Sequence, residues 1–207
     1  MLKVYDTTRL FYNKYAFKLT LSFPIGMIFR DKNWKWARTV LDCHMNNDSV
    51  PSTFGFFKYT NFSNMDYITA RQMFSILQEW DNDFLIRVEH PKWHLYTNEK
   101  TYKDTIITRF PELVKEVCQP STNEIYDKLV NQKDVIISDD SKFKYQIELE
   151  YGIRITETLQ SLKNKNQIYY RNKKNARVIK VANKKVLTLV QLLLHNHIKK
   201  IYTIERG

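Results

Sequence analysis

Lys174–Glu205 reads KNARVIKVANKKVLTLVQLLLHNHIKKIYTIE, and its pattern is strand, break, helix, strand. Arg177–Val181 is β-branched and apolar. Lys184–His195 sets Val186, Leu189, Val190, Leu193 and Leu194 at helical spacing, and Ile198–Ile204 alternates isoleucines with lysines as a border strand. The same order occurs earlier, in Lys92–Pro120, KWHLYTNEKTYKDTIITRFPELVKEVCQP. Setting Thr97-Asn98 on Ala182-Asn183 brings His94–Tyr96 onto Ile179–Val181, the helix Glu99–Arg109 onto Lys184–Leu194 and, after a one-residue slip, Val114–Val117 onto Ile198–Ile201.

A second echo precedes the first. Lys14–Phe23, KYAFKLTLSF, alternates Tyr15, Phe17, Leu19, Leu21 and Phe23 against smaller or polar residues. Lys142–Tyr151, KFKYQIELEY, does the same with Phe143, Tyr145, Ile147, Leu149 and Tyr151 inward. After each strand comes a helix, opened by Ile68-Thr69 and running Ala70–Trp80 in the first copy, and opened by Ile155-Thr156 in the second. A hairpin follows: Phe84–Glu89 turns at Pro91-Lys92 into Trp93–Thr97, and Gln167–Arg171 turns at Lys173–Asn175 into Arg177–Val181.

Each half therefore reads β-α-β-β-α-β, the order of the ferredoxin-like split βαβ. The expected fold class is α+β, two tandem ferredoxin-like units. Residues 1–120 form the first, with a helical and aromatic insertion at 24–65 that holds a helix at Asn33–Met45. Residues 121–141 are read as a linker and 142–207 as a basic second unit.

With 207 residues, 43% hydrophobic and 14% aromatic, the chain can pack one large core or two small ones. Cys43 and Cys118 make no disulfide framework and read as reduced thiols. No apolar run approaches a membrane span and MLKVYDTTRLFYNKY lacks a signal-peptide core, so cytoplasmic placement is expected. Four glycines exclude a glycine-rich phosphate loop. Abundant Lys, Asn, Ile and Tyr suggest an AT-rich genome, hence a virus, phage or parasite, with host cytoplasm or virion as the location for a viral protein.

The formal charge is +11 and uneven: residues 1–120 carry 16 Lys+Arg against 13 Asp+Glu, and 121–207 carry 17 against 9. Between Lys163 and Lys185 lie Lys163, Lys165, Arg171, Lys173, Lys174, Arg177, Lys180, Lys184 and Lys185, with Tyr169 and Tyr170 among them and no acidic residue. Cations neutralise phosphates and tyrosine faces stack on unpaired bases, so this surface is expected to bind RNA or single-stranded nucleic acid. The reading gathers these charges at one end of the second sheet. In fold order, tandem units with a basic second half resemble the RNA-binding RRM proteins and the CRISPR repeat-associated RNA-binding and processing proteins. That resemblance implies an RNA partner.

The remaining candidates are weighed against blander roles. His44, late in the inserted helix, is the general base if the protein is a metal-independent endoribonuclease; a histidine answering a helix C-terminal dipole is the commoner case. His90 and His94 flank one turn but supply only two ligands. His195-Asn196-His197 falls at a helix end with a polar centre, so no metal site and no cofactor are expected. Phe54–Phe62, FGFFKYTNF, is an extra packing strand or a surface for self-association. The leading expectation is a non-enzymatic binder of RNA or single strands. An endoribonuclease using His44 and a viral or phage assembly protein are the alternatives.

Overall fold

In the computed structural model, residues 2–46, 62–80, 83–89, 91–132, 134–138, 142–171 and 175–206 are described. The chain is α+β, with two mixed five-stranded sheets and accompanying helices. It divides into two compact units: Met1–Asp6 with Lys14–Gln119, and Thr7–Asn13 with Pro120–Gly207. None of its helices, among the described residues, is long and apolar enough to cross a membrane.

Unit 1 contains β1 (Lys3–Asp6), β2 (Phe17–Ser22), α1 (Trp34–Met45), α2 (Asn64–Glu79), β3 (Phe84–Glu89), β4 (Lys92–Thr97), α3 (Lys100–Arg109) and β5 (Val114–Gln119), and its strands lie in the order β1-β5-β2-β4-β3. The alternation of β2 decides which face is covered. Leu19 opposes Leu95 and Val117, Leu21 opposes Trp93 and Val114, and this face packs with Ala70, Met73 and Leu77 of α2 and Ile106 of α3. Trp93 meets Phe23 edge-on at 6.3 Å and Phe29 at 6.4 Å, geometries that add to simple burial. Gly26 permits this packing, because a Cβ there would lie 2.5 Å from Phe23 Cδ1 and 3.1 Å from Trp93 Cδ1.

Helix α2 begins earlier than the expected Ile68-Thr69 opening. Ser63 and Asp66 form a reciprocal cap, the Ser63 hydroxyl accepting from the Asp66 N–H and the Asp66 carboxylate from the Ser63 N–H. Helix α1 is capped by Asn33, which accepts from the Trp36 N–H at 3.0 Å. Of Phe54–Phe62, only Phe62 is among the described residues; it packs on the unit 1 core, edge-on to Tyr67.

Unit 2 contains α4 (Asn123–Asn131), β6 (Val135–Ile137), β7 (Tyr145–Arg154), α5 (Glu157–Asn164), β8 (Ile168–Tyr169), β9 (Asn175–Val181), α6 (Lys184–Leu194) and β10 (Ile198–Glu205), ordered β6-β10-β7-β9-β8. The expected linker at 121–141 thus carries a helix and a strand. Thr122 caps α4 by accepting from the Ile125 N–H at 3.2 Å, and β6 pairs in parallel with β10. Ile147, Ile179 and Val181 face Leu159 and Leu162 of α5 and Val186, Leu187, Val190 and Leu194 of α6 in one core.

Two expectations change here. Tyr151, expected inward, is 78% exposed. Pairing runs from Glu148↔Val178 to Ile153↔Ala176, so β7 spends more residues than β9 and Tyr151 sits in the resulting bulge. The alignment of the two copies also shifts by one residue. His94 lies on the sheet face away from the helices whereas Ile179 lies beneath them, and a one-residue slip exchanges faces. Matching faces sets Thr97 on Val181 and Glu99 on Asn183, and these last two are the residues that open α3 and α6. Asn183 caps α6 by accepting from the Val186 N–H at 3.0 Å. Asn98 accepts from the Ala16 N–H at 2.8 Å and donates to the Lys14 carbonyl at 2.9 Å.

Candidate nucleic-acid interface

The face of the unit 2 sheet turned away from α5 and α6 is assembled from two cross-strand rows. Register places Tyr202, Gln146, Lys180 and Tyr169 in one row, and Lys200, Glu148 and Val178 in the next. Strict alternation would send Arg177 under the helices with Ile179. The bulge prevents this: Ala176 and Ile179 are buried, while Arg177 and Val178 between them are both exposed. Re-aiming a side chain is a common consequence of such an irregularity.

Of these residues, Gln146, Glu148, Tyr169, Arg177, Val178 and Lys180 line a cleft of about 530 Å³, completed by Thr8, Arg9, Ile136, Tyr170, Arg171 and Ala176. Arg9, Arg171, Arg177 and Lys180 line it together with one carboxylate, Glu148. Arg9 Nη1 lies 2.8 Å from Glu148 Oε1. The guanidinium of Arg177 lies 4.2 Å from the centre of the exposed Tyr151 ring, a stacked cation that keeps its charge available. Tyr169 is 45% exposed and leans on Phe143 with ring centres 6.2 Å apart. Tyr202 is buried, and burial first, then Glu148, holds its hydroxyl above the usual tyrosine range, so it stays protonated.

Not all of the basic stretch is here. Tyr170 borders the cleft but its side chain packs in the core on the opposite face, its hydroxyl donating to Gln160 Oε1 at 2.5 Å and its ring under Lys163 at 4.3 Å. It cannot stack on a base. Lys163 and Lys165 lie at the end of α5, and Lys184 and Lys185 in the first turn of α6. These two places adjoin, since the Ala182 N–H donates to the Gln167 carbonyl at 3.0 Å. Arg171 and Arg177 flank the β8–β9 connection at the other end, because antiparallel strands put a turn opposite the end at which the first strand starts. The single charged rim expected from the sequence is thus two ends of the sheet with Lys180 between them. Lys173, Lys174 and His90 lie outside the described residues.

Arg9, Glu148 and Gln146 were not among the expected contact residues. Arg9 is 139 positions from Glu148, and no local pattern joins them.

The described histidines and cysteines do not line this cleft. His44 stacks on Tyr67 with ring centres 3.7 Å apart, and its Nε2 lies 3.1 Å from Asn64 Oδ1. His195 and His197 lie in a short 3-10 turn, with His197 Nδ1 3.8 Å from Glu150. His94 is buried, its Nδ1 3.1 Å from the Thr20 hydroxyl and its Nε2 3.6 Å from Glu89. Burial first, then Lys18, holds its imidazole below the usual histidine range. Cys43 and Cys118 are free thiols, and burial raises that of Cys118. Among the described residues, no group of three or more His, Cys, Asp or Glu side chains is placed to hold a metal ion. No protein family, characterised protein or solved structure matches this chain.

Proposed function

We propose that the chain consists of two ferredoxin-like units and that the second binds RNA or another single-stranded nucleic acid on its open sheet face. The fold reading is supported by strand order. Leaving aside β1 and β6, each unit's four strands lie fourth, first, third, second in chain order, with a helix in each of the two crossovers. Fold order alone carries no function.

The observation that carries the functional reading is the cleft itself, lined by four cations and one carboxylate with the exposed ring of Tyr169. Cations over a flat, partly aromatic surface suit a phosphodiester chain whose bases are free to stack, and duplexes hide those bases. The reading is of binding without cleavage. A fluorescence-anisotropy panel of single-stranded RNA, duplex RNA, single-stranded DNA and duplex DNA, at low and physiological salt, tests it. Single strands are expected to bind most tightly, with affinity falling steeply as salt rises. Preference for duplexes, or affinity indifferent to salt, would overturn it.

A further inference from the structure

A carboxylate at the centre of a surface that binds a polyanion repels its ligand, and Glu148 occupies such a place. It lies on β7, a central strand of the sheet, as the one acidic residue lining the cleft among the described residues. Two features show how that charge is accommodated. Arg9 neutralises it at 2.8 Å and fixes the position of the carboxylate. The segment bearing Arg9 is itself tied down, as the Thr8 carbonyl accepts from the Ile137 N–H at 2.6 Å and the Tyr202 hydroxyl donates to Asn13 Oδ1 at 3.4 Å. The Glu148 side chain is still 31% exposed, and a carboxylate holds about four lone-pair positions, so the Arg9 contact and the neighbouring Tyr202 hydroxyl together leave acceptor capacity to spare. Gln146, two residues away on the same face, adds an amide at roughly 7 Å along the strand.

An ionised carboxylate only accepts hydrogen bonds, and the base it favours must present adjacent donors. Guanine does so on its Watson–Crick edge, with N1–H beside the 2-amino group. Adenine and cytosine set one amino group beside an acceptor nitrogen, and uracil sets its N3–H between two carbonyl oxygens. We infer that the cleft selects a guanine base, with Glu148 accepting from N1–H and the 2-amino group, Arg9 positioning that carboxylate, Tyr169 offering a ring face to the base, and Arg171 and Lys180 meeting the flanking phosphates. The inference rests on the nucleic-acid-binding reading and adds to it the identity of the base.

The test uses the full chain and short uridine oligonucleotides carrying one central guanosine, adenosine or inosine, inosine lacking only the 2-amino donor. Anisotropy titrations are expected to show the guanosine oligomer bound about tenfold more tightly than either other, the discrimination that one two-bond contact supports. In Glu148→Gln the ratio is expected to fall towards one while the adenosine oligomer binds as well or better, since a negative charge is gone. Arg9→Met, which frees the carboxylate without removing it, is expected to reduce the ratio by a smaller factor. Equal binding of the three oligomers to the unaltered protein, or an unchanged ratio in Glu148→Gln, would overturn the inference and leave nucleic-acid binding standing. Failure of all three to bind would overturn both.

Discussion

The two units place their strands in the same order, and each adds a short parallel strand beside its last one, yet their outer sheet faces differ. In unit 1 the row Thr20, His94, Arg87 has its first two members buried, and Tyr96 beside them is buried as well. The matched positions in unit 2 hold Glu148, Val178 and Lys180, all at least partly exposed and lining a cleft. On that face unit 1 holds a buried threonine–histidine hydrogen bond, and unit 2 leaves charged groups accessible. Shared strand order therefore fixes where side chains point, and the residue placed at each outward position decides whether the face is structural or available to a ligand.

The strongest way to sharpen this contrast is to damage the helix-covered faces, which the two units share in kind. Trp93→Ala in unit 1 is expected to cost about 3–5 kcal/mol and Ile147→Ala in unit 2 about 2–5 kcal/mol in urea unfolding, since both side chains are fully buried. Small losses in both would break the claim that each unit has its own packed core. Gly26→Ala comes next, at roughly 1–3 kcal/mol from overpacking, because the new methyl would press on Phe23 and Trp93.

The two asparagines separate the copies more finely. Asn98→Ala removes two hydrogen bonds to backbone groups of Lys14 and Ala16, and Asn183→Ala removes one helix cap. Losses of about 2 kcal/mol and about 1 kcal/mol are expected, in that order. The reverse order would contradict the one-residue shift between the copies.

The smallest effect is on pH. Burial and Lys18 lower the His94 pKa below its ordinary 6.5, so folded unit 1 favours the neutral ring. That contribution is complete above the unfolded value and is eroded as pH falls from there through the lower folded value, because the unfolded chain then binds the extra proton. Replacing His94 with Asn should flatten the stability profile across that window, whereas replacing Val178, its outer-face counterpart in unit 2, should leave the profile unchanged.

Strands β2 and β9 and helices α3, α5 and α6 were legible because periodicity is a local signal. β1 was not: four exposed residues show no alternation and pair only through a partner over 100 positions away. Tyr169 and Tyr170 could have been separated within the expected strand Gln167–Arg171, since adjacent strand residues face opposite sides, and of the two rings that of Tyr169 is the exposed one. Arg177 could not, because its outward turn depends on a bulge whose one local hint is Gly152 within the strand. Arg9 escaped because an ion pair between distant segments leaves no periodic trace.

The most direct measurement compares binding of labelled single-stranded RNA to two triple variants. One reverses Arg171, Arg177 and Lys180 to Glu on the outer face of unit 2; the other reverses Lys3, Arg87 and Lys92 to Glu on the outer face of unit 1. The unit 2 variant is expected to lose about a hundredfold in affinity, and its slope of log affinity against log salt to flatten by about 2, with only a few-fold loss for the unit 1 variant. Equal losses in the two, or a greater loss from unit 1, would contradict binding on the unit 2 face.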